Sequence, residues 1–184
     1  MRILLHTCCG PCSIYPLEQL RQDYEISAFF FNPNIHPFLE FKRRQETLLA
    51  FCKSENIPVV DEGVYGLEEY LRKVTFNEDK RCQICYQWRM EETARRAAED
   101  GFDGFSTTLL YSRYQDHEEL KKCGFDLAEK YGITYVYQDL RVGWQYGIDK
   151  SREYGMYRQS YCGCIYSEQD RYDPAKRKPK SKKI

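Results

Sequence analysis

MRILLHTCCGPC, residues 1–12, passes from three apolar residues, Ile3-Leu4-Leu5, into a loop holding Cys8, Cys9, Gly10, Pro11 and Cys12. A short apolar run ending at Gly and Pro reads as a buried strand. A helix is expected over 13–22, with Ser13 as its N-cap and Pro16 in its first turn. Strand, loop and helix in that order open a βαβ unit, and the pattern continues downstream. A second strand, Ile26 to Phe31, stops at Asn32-Pro33-Asn34. Helical spacing covers 38–54, with Phe41, Leu48, Phe51 and Cys52 at apolar positions. A third strand opens at Pro58, and a helix is expected over 67–74. A long helix opens at Arg81-Cys82-Gln83-Ile84-Cys85 and runs to about residue 100. Phe105 to Leu109 is a fourth strand, 116–131 a helix ended by Gly132, and Thr134 to Tyr137 a fifth strand.

Alternating strands and helices predict an α/β fold with a mainly parallel sheet flanked by helices. From Arg141 to Ser167 the periodicity fades, which predicts an irregular, Cys-bearing C-terminal segment. Residues 1–172 are expected to form one domain. Residues 173–184 are expected to be a basic, disordered tail, since 176–183 hold six Lys/Arg and no acid. In parallel sheets ligands bind beyond the carboxyl ends of the strands, and Cys8 and Cys9 directly follow the first one.

The whole chain has 28 basic and 28 acidic residues, so bulk charge does not point to nucleic acid. No apolar run is long enough to span a membrane. Only three apolar residues separate Met1-Arg2 from His6, so no signal peptide is expected and the expected location is cytoplasmic.

Nine cysteines are the unusual feature. An odd count without an export signal favours reduced thiols holding metal over a disulfide framework. Three motifs stand out: Cys8-Cys9-x-x-Cys12, Cys82-x-x-Cys85 and Cys162-Gly163-Cys164. Thiolates suit zinc or an iron–sulfur cluster. Structural zinc usually takes two short-spaced pairs on compact knuckles. Here the pairs lie far apart in sequence, and seven motif cysteines exceed the four of one zinc site, which favours iron–sulfur. The surplus fits a second metal or a working dithiol. A Cys162–Cys164 disulfide would close a very small ring and be easily reduced. Cys12 reads equally as a packing residue or a ligand. Cys52 and Cys123 fall inside helical patterns and read as core. Two rival readings stay open: a metal-free thiol–disulfide oxidoreductase, and a zinc-binding RNA module without catalysis.

These motifs, together with Asn32-Pro33-Asn34-Ile35-His36-Pro37, Ser106-Thr107-Thr108-Leu109-Leu110 and Tyr157-x-Gln159-x-Tyr161-Cys162-Gly163-Cys164, resemble the QueH-type, cobalamin-independent epoxyqueuosine reductases over residues 2–170. The resemblance implies two-electron deoxygenation of epoxyqueuosine to queuosine at the wobble position of tRNA, the last step of queuosine synthesis. It implies a 4Fe-4S cluster with ligands Cys8, Cys9, Cys82 and Cys85. It assigns Cys162 and Cys164 to a redox pair or to a second, mononuclear iron, for which Cys12 is a further candidate ligand. Some members of the family carry an acidic residue in the segment after the first cysteine pair, where this chain has Cys12. The implied fold is similar to nucleotide α-hydrolase-like domains. The first loop lacks their Ser-Gly-Gly-rich pyrophosphate signature, so ATP is not expected. The electron donor is not named by the sequence.

Epoxide opening needs a proton donor, for which Asp116, His117 and Tyr161 are candidates. His6 and His36 lie near the expected sheet edge, as participants or as structural residues. An anticodon-loop base is read by stacking on aromatics, for which Tyr111, Tyr114, Trp144, Tyr146, Tyr154 and Tyr157 are candidates. Arg113, Arg141, Lys150, Arg152, Arg158 and the basic tail are candidates for phosphate contact.

Overall fold

A computed structural model describes residues 1–176, and the basic stretch 177–184 lies outside the described residues. In chain order the elements are β1 (Arg2–His6), α1 (Gly10–Leu20), β2 (Glu25–Phe30), α2 (Phe38–Ser54), β3 (Val59–Asp61), α3 (Leu67–Val74), α4 (Arg81–Glu99), β4 (Gly104–Thr107), α5 (His117–Tyr131), β5 (Thr134–Tyr135), α6 (Trp144–Glu153) and α7 (Ile165–Tyr172). The strands form one sheet, β3-β2-β1-β4-β5, and every pairing is parallel. The expected α/β architecture is therefore the observed one.

The sheet is buried on both faces, as parallel sheets require. Ile3, Leu4 and Leu5 of β1 are all fully buried. On β2 the period of two sorts the side chains. Ala28 and Phe30 meet Phe41, Leu48 and Cys52 of α2, while Phe29 and Phe31 join the core on the other face. Cys123 of α5 also packs into that larger core. Each buried Leu, Ile or Phe contributes about 1.5–3 kcal/mol.

Three local expectations are corrected. First, α1 begins at Gly10 rather than 13. Pro11 presets the backbone angle of the first turn, and Cys9, fully extended at φ −172°, takes the cap position. Ser13 lies inside the helix and donates its hydroxyl to the Cys9 carbonyl at 2.8 Å. Pro16 is accordingly interior to the helix. Second, β4 ends at Thr107, whose Oγ1 accepts the Leu109 N–H at 3.2 Å and turns the chain into a tight helical turn, Thr108–Tyr111. Third, the C-terminal segment contains α6 and α7. Their sequences carry no apolar stripe because α6 buries only Gly147 and Ser151, and α7 buries no residue fully. The irregular stretch is thus the connection between them, residues 154–164, which carries Cys162 and Cys164.

Strand numbering descends 3-2-1 and then ascends 4-5, so the order reverses between β1 and β4. At such a switch point the loops leaving the two strands diverge and open a crevice. The loop after β1 carries Cys8, and the turn after β4 carries Thr108. The Cys8 N–H donates to Thr108 Oγ1 at 3.4 Å across that gap.

Candidate metal and thiol site

A cleft of about 650 Å³ opens at the switch point, with Cys8, Cys12, Arg89, Tyr111, Trp144 and Cys162 among its walls. Its floor is the β1–α1 loop. The backbone there must reverse within four residues, which places Cys8, Cys9 and Cys12 around one point. Their sulfurs lie within 4.8 Å of one another, a group able to hold a metal ion. The Cys8 and Cys9 sulfurs are 3.8 Å apart. Gln159 donates its Nε2 to the sulfurs of Cys9 at 3.0 Å and Cys12 at 3.3 Å.

The three thiols are not equivalent. Cys8 is the most acidic of the three. Hydrogen bonds from Cys12 and then Cys9 hold it well below the ordinary thiol range, against the cost of burial. Thr108 adds its hydroxyl at 3.7 Å. Cys9 is pushed up, mainly by burial, and Cys12 is pushed up mainly by donating to Cys8. Three thiols around one point, one of them made more acidic by the other two, suit a soft metal whose binding displaces their protons.

The second thiol group comes from α4 and the 154–164 connection. Cys82 and Cys85 lie one helical turn apart near the start of α4, Cys82 exposed and Cys85 buried. Burial pushes Cys82 up and Cys85 to about 12. Cys85 packs with Tyr70, Val74 and Cys164. Cys164 caps α7, its sulfur accepting the Ser167 N–H at 3.3 Å, whereas Cys162 is exposed in the cleft. All nine cysteines are free thiols. The residues implied as cluster ligands therefore fall into two groups, Cys8/Cys9 and Cys82/Cys85. The Arg89 guanidinium lies within electrostatic reach of Cys85, Cys162 and Cys8.

Cys162 is held from two sides. Asp116 N–H donates to the Tyr86 hydroxyl at 3.2 Å, Tyr86 donates to Gln115 Oε1 at 2.7 Å, and Gln115 Nε2 reaches the Cys162 sulfur at 3.3 Å. From beneath, Arg44 grips the backbone, donating Nη1 to the Cys162 carbonyl at 2.7 Å and Nη2 to the Tyr161 carbonyl at 3.0 Å. Arg44 is 1% exposed and paired with Glu40 at 2.7 Å. Gly163 sits between the two cysteines at φ +151°, and a Cβ there would lie 3.1 Å from Ile35 Cγ1 and 3.3 Å from Arg44 Nη1. Gly163→Ala is accordingly expected to destabilise the fold by about 1–3 kcal/mol and to displace Cys162. A thermal unfolding midpoint, together with the alkylation rate of Cys162, checks both effects.

The other sequence-derived candidates divide. Tyr111, Tyr114, Trp144, Arg158 and Tyr161 line the cleft. Tyr114 meets Trp144 edge-on at 5.4 Å, and Tyr111 donates its hydroxyl to the Trp144 carbonyl at 3.0 Å. Gly147 lets Tyr111 approach α6 this closely, because a Cβ there would collide with the tyrosine hydroxyl. Tyr161 donates its hydroxyl to the His36 carbonyl at 2.5 Å. Asp116 caps α5 by accepting the Glu119 N–H at 3.1 Å, while its neighbour Gln115 lines the cleft. His117 bonds Tyr137 at 2.9 Å. His6 is fully buried between Thr107 and the Phe31 carbonyl, and burial drops it to about 3, so it is neutral and structural in position. His36 is buried against Tyr65 and Tyr70 and is lowered to about 4. Tyr157 bonds Glu40, Tyr146 packs on Tyr15, and Tyr154 packs near Phe51. Arg141, Lys150 and Arg152 pair with Asp139, Glu153 and Asp149.

Sequence reasoning missed Arg89, Gln115 and Arg44. Arg89 follows Cys82 and Cys85 by seven and four residues, the spacing of one helix face, so helical periodicity would have found it. Nothing local marks Arg44 or Gln115.

The model of the family described as epoxyqueuosine reductase QueH matches residues 3–170. The chain belongs to the epoxyqueuosine reductase QueH family. Relatives named epoxyqueuosine reductase QueH include one from Dehalococcoides mccartyi, 35% identical over 93% of this chain and 94% of that protein. Another, from Streptococcus pyogenes, is 36% identical over 90% of this chain and 69% of that protein. A third, from Thermotoga maritima, is 34% identical over 90% and 89%. The QueH match takes in all seven motif cysteines and both buried arginines, and it ends before the basic tail. A solved structure described as a predicted subunit of tRNA methyltransferase from Methanocaldococcus jannaschii shares the fold at a TM-score of 0.51. It is 12% identical and covers 82% of this chain and 76% of its own.

Proposed function

We propose that this QueH-family chain reduces epoxyqueuosine to queuosine in the anticodon loop of tRNA. The observation that carries the proposal is that two cysteine motifs distant in sequence, through Cys8, Cys12 and Cys162, line one aromatic-walled cleft at the switch point, with Arg89 in its wall within electrostatic reach of Cys85 of the third. We assign Cys8, Cys9, Cys82 and Cys85 to a 4Fe-4S cluster, and Cys12 to a second, mononuclear iron beside Cys8 and Cys9. The donor set suits both: thiolates select iron–sulfur chemistry, and the buried cation Arg89 favours a net negative group. Bound there, the cluster would relay electrons, one at a time, from an external donor, to return the Cys162–Cys164 pair to thiols between turnovers.

Removing the epoxide oxygen consumes two electrons and two protons and releases water, leaving an alkene. Cys162 and Cys164 are the residues of this chain that balance that reaction. Two thiols becoming one disulfide yield two electrons and two protons, and the oxygen leaves as water. Its exposure in the cleft and the Gln115 hydrogen bond support this role for Cys162. Its partner Cys164 waits one glycine away. Tyr161, on the cleft wall, is assigned to the leaving oxygen, its hydroxyl exchanging the His36 carbonyl for the substrate, and the Asp116 backbone N–H supports Cys162 through Tyr86 and Gln115. The modified base must leave its stack to reach the thiols. Trp144 and Tyr114, the latter 82% exposed, form the surface it would stack on, with Arg158 for a phosphate.

Two measurements test this. Anaerobically reduced protein incubated with epoxyqueuosine-bearing tRNA is expected to yield queuosine, detected by nucleoside mass spectrometry. Unchanged epoxyqueuosine with fully iron-loaded protein would overturn the reading. Trp144→Ala is expected to raise KM for tRNA roughly tenfold with little loss of kcat, since stacking on one aromatic is worth about 1–3 kcal/mol. Steady-state kinetics separates the two.

A further inference from the structure

Among the described residues two arginines, Arg44 and Arg89, are buried, and they are solved differently. Arg44 has a carboxylate, Glu40, and two carbonyls. Arg89 is 2% exposed, and no ion pair to it exists among the described residues. Its Nε donates to the Cys85 carbonyl at 3.2 Å, an ordinary contact one turn back along α4. Its Nη2 is buried without any hydrogen-bond partner. A buried unpaired cation is among the costliest arrangements a fold can hold, and it persists only where something negative offsets it. The charged or titratable groups facing it are Cys85, Cys82 and Tyr86 of α4, Cys162 of the 154–164 connection, Cys8 of the β1–α1 loop and His6 of β1. Four of these six are thiols of the proposed site.

Resting on the cluster assignment above, we propose that Arg89 is the counter-charge of the iron–sulfur site and a positioning residue that sets its reduction potential. The orphaned Nη2 is the group left free to donate to the site. One-electron reduction adds a negative charge to the site. A fixed guanidinium across a buried gap lowers the energy of the reduced form more than that of the oxidised form, so it raises the potential. Gln159 and Gln115 supply neutral N–H donors to the sulfurs and cannot replace this charge. The arrangement also explains why α4 presents Cys82, Cys85 and Arg89 on one face.

The test is a dithionite titration, followed by electron paramagnetic resonance, of anaerobically reconstituted wild type, Arg89→Lys, Arg89→Gln and Arg89→Met. Loss of the charge is expected to reduce the equilibrium constant for one-electron reduction at least tenfold, a fall of about 59 mV. Arg89→Lys is expected to recover most of it. Arg89→Gln carries the comparison should Arg89→Met not fold. Equal potentials in wild type and the neutral variants, with iron and sulfide content unchanged, would overturn the inference and leave the proposed function standing. Wild type that takes up no iron and sulfide would overturn both.

Discussion

Cys85→Ala is expected to lose iron, labile sulfide and turnover together, down to the background of protein-free controls, while the fold survives. The thiol sits near the start of α4, packed against Tyr70, Val74 and Cys164. Truncating it to alanine removes one sulfur from a site whose core is elsewhere, in the sheet, so the cost in stability is about 1 kcal/mol. The chemical cost is total, because a four-thiolate site has no neutral substitute at that position. Cys52→Ala is the matched control. Cys52 is equally buried and equally free, but it packs with Ala28, Phe30 and Leu48 under α2, away from the cleft. Iron content and deoxygenation should be unchanged in that variant.

The largest effect on stability is expected from Arg44→Met. Arg44 and Glu40 form an ion pair that is 1% and 7% exposed, one turn apart on α2. Removing the guanidinium leaves a carboxylate buried with only Tyr157 as a partner. Breaking a buried pair from one side costs about 3–5 kcal/mol. For a domain of this size that lowers the melting temperature by roughly 10 °C. The double variant Arg44→Met/Glu40→Leu is expected to regain most of the loss, since replacing both partners with apolar groups is close to neutral. Activity should not return with stability. The double variant still lacks the donors that hold the Tyr161 and Cys162 carbonyls. Thermal melts and turnover measured on the same samples separate the two roles.

What could be read in advance followed the strength of the local signal. The parallel sheet was legible because Ile3-Leu4-Leu5 and the strands after it are short apolar runs between turn residues. α3 at Leu67–Val74 and α2 at Phe38–Ser54 matched the spacing of their apolar positions. α6 and α7 were not legible, since they bury glycine and serine or nothing at all. The start of α1 was misplaced because Pro11 initiates a helix as readily as it breaks one. At the site, the thiols were legible and their supports were not. Asp116 drew attention as an acid, yet the carboxylate is occupied capping α5 and Gln115 faces the cleft. The Arg44 clamp joins residues more than a hundred positions apart, and no local pattern encodes such a contact.

Iron-edge anomalous diffraction from anaerobically reconstituted crystals tests the central claim most directly. Iron density bridging Cys8 and Cys9 on one side to Cys82 and Cys85 on the other is the predicted result. Iron confined to the Cys8, Cys9 and Cys12 sulfurs, or zinc at any of these positions, would contradict it.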